Sequence, residues 1–433
     1  MLTQAENEIL MHVGRGTPLG EVMRRYWVPA MLSSELAEPN GDPRRLRLLG
    51  ENLVAWRDAS GTVGIFDENC MHRGASLALG RCEGDGLRCI YHGWKFATDG
   101  SILDTPNYAQ SRVRDKLRAP AYPVREAGEI IWVYLGPPVK EPAFPRFKFM
   151  EVPQEQRAMY HVTLDCHFLQ VVEGNLDPTH IPVLHQDHAK NFHAIIKNSD
   201  GSTTTTNFGG YHRDYTVLDS HPSTFDLEDT AQGSYGCFFF GAEANGAPAS
   251  YFRIYGFALP YLCFQPMGNT VIDVPIDDTH TSFFQIGFSQ TEKVDRELYV
   301  NYERGPLSHY KDGLRWRYGP DQNWGQDRSA MTEGKSFSGV TEGVVAEDFP
   351  VWTSMGSYYD SRNENLAPAD HLLVRMRRNM LKAAADLQKG IDPVTIPADV
   401  AYGIRLGQGI LDDPKAWREH IPNADEARVT PAG

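Results

Sequence analysis

The sequence predicts an α+β protein: a short helical extension, a small all-β domain, and a larger domain with an antiparallel sheet flanked by helices. Three observations carry that prediction. Short apolar runs are broken by Gly, Asp and Asn between residues 45 and 136, a proline-punctuated connector comes next, and the second half mixes strand-like runs with one long helical stretch. The limits expected from these shifts are residues 1–24 for the extension, 25–145 for the β domain and 146–433 for the larger domain.

In chain order, residues 3–14 have helical spacing, Gly14 to Pro18 interrupt it, and it resumes from Leu19 to Trp27. The runs RLRLLG, NLVAW and TVGIF between Arg45 and Ile65 predict short strands joined by tight turns. LRCIYHGWKF, GSILD and EIIWVYLG continue that pattern to Gly136. Pro137, Pro138, Pro142 and Pro145 withhold the amides a helix or strand needs, which marks a domain boundary. Beyond it, residues 164–176 read as a helix, and GSYGCFFF, YFRIYGFALPYLCF and TSFFQIGF read as strands. Residues 368–388 form a long helix opened by Pro368 and stopped before Gly390.

Composition narrows the classes of function. Forty-two Lys and Arg against 56 Asp and Glu give a net charge of −14, which argues against a general nucleic-acid binder. The N-terminus lacks a basic, apolar secretory pattern, and no run approaches the roughly 18 apolar residues of a membrane span. A cytoplasmic protein with neither membrane nor nucleic acid as partner is expected. The six cysteines are too sparse for a disulfide scaffold.

Two of those cysteines stand beside histidines. Cys70-x-His72 and Cys89-x2-His92 each place one thiol and one imidazole on a loop of the β domain, a set suited to a [2Fe–2S] cluster with two cysteines on one iron and two histidines on the other. A zinc ion held by the same four residues is the competing reading, although zinc half-sites usually pair like with like. The segments CMHRGASL and CIYHGWKF, with Arg73 and Trp94 after the ligands, resemble the two ligand loops of Rieske proteins of the ring-hydroxylating kind. Cys82 lies outside both half-motifs and reads as a structural thiol.

The second concentration of chemistry is LDCHFLQVVEGNLDPTHIPVLHQDH. His180 and His185 are slightly more than one helical turn apart, and Pro182 between them implies a bend that lets the rings converge. Two histidines and a carboxylate make the facial triad that holds iron(II) with open positions for dioxygen. Hydrogen-bonding histidines at an irregular helix end are the plainer alternative.

EGNLDPTHIPVLH resembles the mononuclear-iron motif of Rieske non-haem iron aromatic-ring-hydroxylating oxygenases, alpha subunit, in the phthalate-dioxygenase-like branch. That resemblance implies His180 and His185 as ligands and Asp177 as the carboxylate linking the two metal centres across a subunit boundary. Asn175 and Gln170 are expected to support that carboxylate, and Glu173 is split between such a role and the helix surface. VVAEDFPVWTSMG resembles the family's later motif and implies Asp348 as third ligand, next to the easily confused Glu347. Asp327 is expected in an ion pair with an arginine.

The resemblance further implies a homotrimer or stacked trimers, with dioxygen and a small aromatic acid as substrates. No nicotinamide or flavin fingerprint is present, so electrons from NADH are expected through a separate reductase with flavin and iron–sulfur centre, with or without a ferredoxin. Arg213 and Arg253 are candidates for the substrate carboxylate. Phe240, with Phe239, Phe252, Tyr255 and Phe257, is a candidate for an apolar wall. The resemblance implies, for phthalate-acting members, an arginine shortly after a Tyr-Gly pair, where this chain has Cys237 and Phe238. That departure points toward a larger or more apolar acid, including a methoxylated lignin fragment and hence O-demethylation. An electron carrier without catalytic iron is the reading from another class.

Overall fold

Thr3 caps the first helix, α1 (Gln4–Met11): its hydroxyl accepts from the Glu6 amide, and the Glu6 carboxylate accepts from the Thr3 amide at 2.7 Å. Thr17 caps and Pro18 opens α2 (Pro18–Met23). This helix stops short of Trp27 because the chain there pairs as strand β1 (Trp27–Leu32). In this computed structural model the described residues are 2–108, 114, 116–190, 193–197, 203–207, 211–212, 215–217, 222–230, 233–244, 247–266, 269–356, 364–393, 401–402, 407–411 and 413–421. Among them, no helix is long and apolar enough to cross a membrane.

The predicted short strands form three small antiparallel sheets. One is the meander β2 (Arg44–Leu48), β3 (Glu51–Arg57) and β4 (Val63–Asp67). A second is β5 (Arg81–Glu83), β6 (Gly86–Arg88), β7 (Lys95–Phe96) and β8 (Ile102–Asp104). In the third, β1 pairs with β10 (Ile130–Tyr134), which pairs with β9 (Val124–Ala127). Trp56, Phe66, Leu77, Trp94 and Phe96 make a small core beneath the cysteine loops. β1 and β10 instead bury Trp27, Val28, Trp132 and Val133 in a core continuous with the larger domain. The loops thus stand on packing of their own, while β1 and β10 fasten the β domain to the larger one.

The larger domain is built on a twelve-stranded sheet. Six of its strands run antiparallel in the order β13 (Ser234–Ala244), β14 (Ala247–Ala258), β15 (Leu262–Gln265), β16 (Asn269–Asp277), β17 (His280–Phe288) and then β11 (Arg157–Leu164); β12 (Thr224–Asp229) pairs with β13. The pairing of β11 with β17 continues to Leu164 opposite Thr281. That ladder moves the start of the helix expected at 164 to Phe168. Helix α3 (Phe168–Leu176) packs over β14 to β17, with the one-turn α4 (Ile181–Leu184) after it. α5 (Arg296–Arg304) lies on β11, α6 (Asp348–Ser354) against α3, and α7 (His371–Gln388) against β13 and α3.

Two contacts fix α3. Arg377 of α7 donates from Nε to Glu173 at 2.6 Å, and both side chains are buried, so the surface role considered for Glu173 is corrected: packing of α7 covers it. Gly174 lies so close to Trp352 of α6 that a Cβ there would overlap the indole nitrogen.

Candidate metal centres

The two cysteine loops fold alike. The Cys70 amide donates to Ala75 O and Gly74 N to Cys70 O; in the same way, the Cys89 amide donates to Trp94 O and Gly93 N to Cys89 O. Gly74 (φ +74°) and Gly93 (φ +75°) close these turns in the left-handed region that favours glycine. Both thiols are buried at the bases of the loops. The rings of His72 and His92 meet edge-on at 4.5 Å, Trp94 stacks on His72 at 4.7 Å, and the Trp94 indole donates to Asn107 Oδ1 at 2.8 Å. Burial pushes the Cys70 thiol up to about 11, against the backbone amides of His72 and Arg73 that reach its sulfur. Cys82 is a free, half-buried thiol on β5.

Among the described residues, His180, His185 and Asp348 are the group whose donor atoms lie within 4.8 Å of one another. The four loop donors do not converge in that manner, as one tetrahedral zinc with bonds of roughly 2.0–2.3 Å requires. Paired buried sulfurs with paired outer imidazoles instead fit a two-iron cluster.

The second site is assembled where α3 ends. Asp177 caps that helix ahead of Pro178, and its Oδ1 accepts from the amide and hydroxyl of Thr179, both at 2.6 Å. His180 then precedes α4 and His185 closes it outside helical geometry. The bend expected between the histidines is therefore a single helical turn between two breaks. It leaves their rings 5.2 Å apart and 72° inclined.

Asp348 opens α6 and faces both rings. Its Oδ1 is 3.5 Å from His180 Nε2, and its Oδ2 is 3.4 Å from His185 Nε2. Each far nitrogen has its own carboxylate: His180 Nδ1 lies 3.5 Å from Asp177, and His185 Nδ1 lies 2.7 Å from Glu347. Two consecutive acidic residues thus bracket one imidazole, with Glu347 behind His185 and Asp348 in front. Glu347 is 1% exposed and also accepts from the Ser338 hydroxyl at 2.6 Å. This arrangement sets which imidazole nitrogen is free for a metal.

Burial disfavours charge on His185, but Asp348 and Glu347 outweigh it and hold the group up at about 10. A proton there occupies the electrostatic place of a cation. Burial opposes ionisation of Asp177, while His180 and Thr179 lower it overall.

One cavity includes all three of these donors. Asn175 lines it, donating to Asp273 Oδ2 at 3.1 Å and accepting from Gln265 Nε2 at 3.1 Å. Arg253 and Tyr255 of β14 also line it, with the guanidinium 5.9 Å from the tyrosine ring. Phe240 does not: it is buried against Tyr251, farther along the same sheet face, because the register pairs those two residues. Phe239 and Phe252 face the opposite side by strand alternation. Arg213 lies outside the described residues.

Three expectations change, the first being Asn175, whose amide is committed to Asp273 and Gln265 and not to Asp177. Gln170 caps α3 by accepting from His167 N and donates to Gly356 O, so it serves the helix start and not Asp177. Asp327 caps the turn Arg328–Thr332 through the Ser329 and Ala330 amides, with no arginine partner among the described residues. Glu303 and Gln285, which line the same cavity, carry no signal that sequence reasoning could have used. The run ELYVNYER gives no sign that its second glutamate is buried.

Comparison with known proteins accords with this geometry. Residues 26–123 match the Rieske [2Fe-2S] domain family, and residues 133–432 match the family described as LigXa C-terminal domain like. The chain is 33% identical to the 3-chlorobenzoate-3,4-dioxygenase oxygenase subunit of Comamonas testosteroni, over 96% of this chain and 97% of that protein. It is also 33% identical to the phthalate 4,5-dioxygenase oxygenase subunit of Pseudomonas putida, over 97% and 95%. Identity to the 5,5'-dehydrodivanillate O-demethylase oxygenase subunit of Sphingobium sp. (strain NBRC 103272 / SYK-6) is 30%, over 93% and 85%.

Proposed function

Because the chain belongs to the Rieske-domain, ring-hydroxylating-type oxygenases with a mononuclear iron catalytic site, we propose that it is the terminal oxygenase of an electron-fed system that hydroxylates or dihydroxylates an aromatic acid. When bound, the [2Fe–2S] cluster supplies single electrons and the iron supplies dioxygen activation. The supporting observation is the placement of Asp348 across both histidine Nε2 atoms in a cavity that also contains Arg253.

In this reading Cys70, His72, Cys89 and His92 hold the cluster, and His180, His185 and Asp348 hold the iron. Glu347 keeps the His185 Nδ1 proton in place, leaving Nε2 as the donor. Asp177 orients His180 and, through its exposed edge, meets a cluster histidine of a neighbouring subunit in a homotrimer or stacked trimers. Arg253, with Arg213, grips the substrate carboxylate while Tyr255 flanks the ring. NADH reaches the system through a flavin and iron–sulfur reductase, directly or by a ferredoxin, in the cytoplasm. The domain limits 1–24, 25–145 and 146–433 stand as our division of the chain.

Equal identity to a chlorobenzoate and a phthalate enzyme singles out neither acid. Similarity to an O-demethylase subunit over most of the chain supports a second reading, removal of a methyl group from a methoxylated aromatic acid. Reconstitution with a surrogate reductase separates the two: formaldehyde marks demethylation, a cis-diol dihydroxylation. His180→Ala and Asp348→Ala should retain the reduced-cluster resonance signal and lose product. Coupled product from either variant would overturn the site assignment.

A further inference from the structure

The cavity that Arg253 lines has further polar lining that metal binding does not use. Glu303 of α5 is 7% exposed and lines the cavity with Gln285 of β17. Arg253 on β14 and Gln285 on β17 are three strands apart in one sheet, and the register that sets Gly256 level with Ile286 leaves them four residues out of line, so their backbones are about 19 Å apart at the usual spacings. His180, His185 and Asp348 line the same cavity.

Glu303 stands beside a chain of hydrogen bonds, and the Gln285 amide at its end favours the ionised Glu303 carboxylate. Gln285 is itself pinned, accepting from Tyr160 Oη at 2.8 Å and donating to Tyr299 Oη at 3.3 Å. Tyr299 in turn donates to Asn269 at 3.2 Å. With those groups committed to one another, Glu303 lines the cavity with hydrogen-bonding capacity to spare. Burial pushes this carboxyl up to about 7, against the Gln285 amide and His185, with Asp348 adding to the rise. A buried carboxyl is costly unless a partner meets it, and the ligand is the group placed to do so.

We propose that Glu303 is a specificity-determining residue: an aromatic acid gripped at its carboxylate by Arg253 presents a ring hydroxyl to the Glu303 carboxyl, which hydrogen-bonds it and disfavours a second carboxylate there. This rests on the aromatic-acid reading above and narrows it to hydroxylated monoacids. A hydroxyl can donate to or accept from a carboxyl, whereas a carboxylate opposite Glu303 brings two acids together.

Calorimetric binding of benzoate, its monohydroxy derivatives and phthalate to the metal-loaded protein tests the proposal. The wild type should bind one hydroxybenzoate isomer about tenfold more tightly than benzoate or phthalate, roughly 1.4 kcal/mol. Glu303→Ala should bring that isomer to the benzoate level and leave benzoate itself within about twofold. Glu303→Gln, which keeps size and hydrogen bonding, should retain most of the hydroxyl preference and tighten phthalate binding; it decides the matter if the alanine variant does not fold. Equal or absent losses for benzoate and the hydroxybenzoate would overturn the role of Glu303. If the acids bind and Arg253→Ala weakens them all, that failure leaves the aromatic-acid reading intact. Absence of binding by any of these acids to the wild type would remove both.

Discussion

Replacing Glu347 by glutamine should weaken iron(II) binding about tenfold without touching a ligand. The carboxylate is buried and accepts from His185 Nδ1 at 2.7 Å and from Ser338 Oγ at 2.6 Å. Glutamine has the same shape: its carbonyl can accept from His185 and its amide can donate to Ser338, so packing and hydrogen-bond number persist. What disappears is the charge. A hydrogen bond to a charged group contributes roughly 1.5–3 kcal/mol net, against roughly 0.5–1.5 for a neutral pair. The difference of about 1–1.5 kcal/mol corresponds to a factor of about ten in affinity. It falls at the lower end of the roughly 10–100-fold losses seen when the support of a metal-bound histidine is removed.

Glu347→Ala strands both partners as well and should cost about 100-fold or more. The assay is anaerobic titration of iron(II) against a competing chelator, with cluster absorbance as internal control. Wild-type affinity in Glu347→Gln would refute the reasoning, and simultaneous cluster loss would show that the effect is not local.

Three other perturbations have defined outcomes. The elevated His185 group stabilises the metal-free fold; that contribution is fully present below its ordinary value near 6.5 and is lost as pH rises through about 10, so iron(II) uptake near neutral pH should release about one proton, measurable by calorimetry in buffers of different ionisation enthalpy. Gly174→Ala drives a methyl group against Trp352 and should cost about 1–3 kcal/mol while lowering iron content relative to cluster, read by metal analysis and thermal unfolding. Arg377→Met leaves Glu173 buried without its cation and should cost about 3–5 kcal/mol in denaturant unfolding, much of it recovered when Glu173→Leu is added.

Much of the fold was legible because strand and helix signals were local. Helical spacing marked α1 and α2, and the glycine-broken apolar runs marked the short sheets. The exceptions have tertiary causes. Leu164 lies in a strand because Thr281 pairs with it from across the sheet. Glu173 is buried because α7, some 200 residues later, brings Arg377 over it. Phe240 resembled a cavity residue, but its register sets it against Tyr251.

The sequence by itself determined the donor inventory. Cysteine and histidine on two glycine-closed loops, and two histidines around Pro182, specify metal chemistry through residue type and short spacing, which survive without knowledge of the fold. The later motif already pointed to Asp348, but only the tertiary structure decided that its neighbour Glu347 backs His185, and that Glu303 and Gln285 share the cavity with Arg253. Those roles depend on side chains brought together from β14, β17, α5 and α6. Their separation along the chain leaves no local periodicity, so their direction and burial are set only when the helices pack on the sheet.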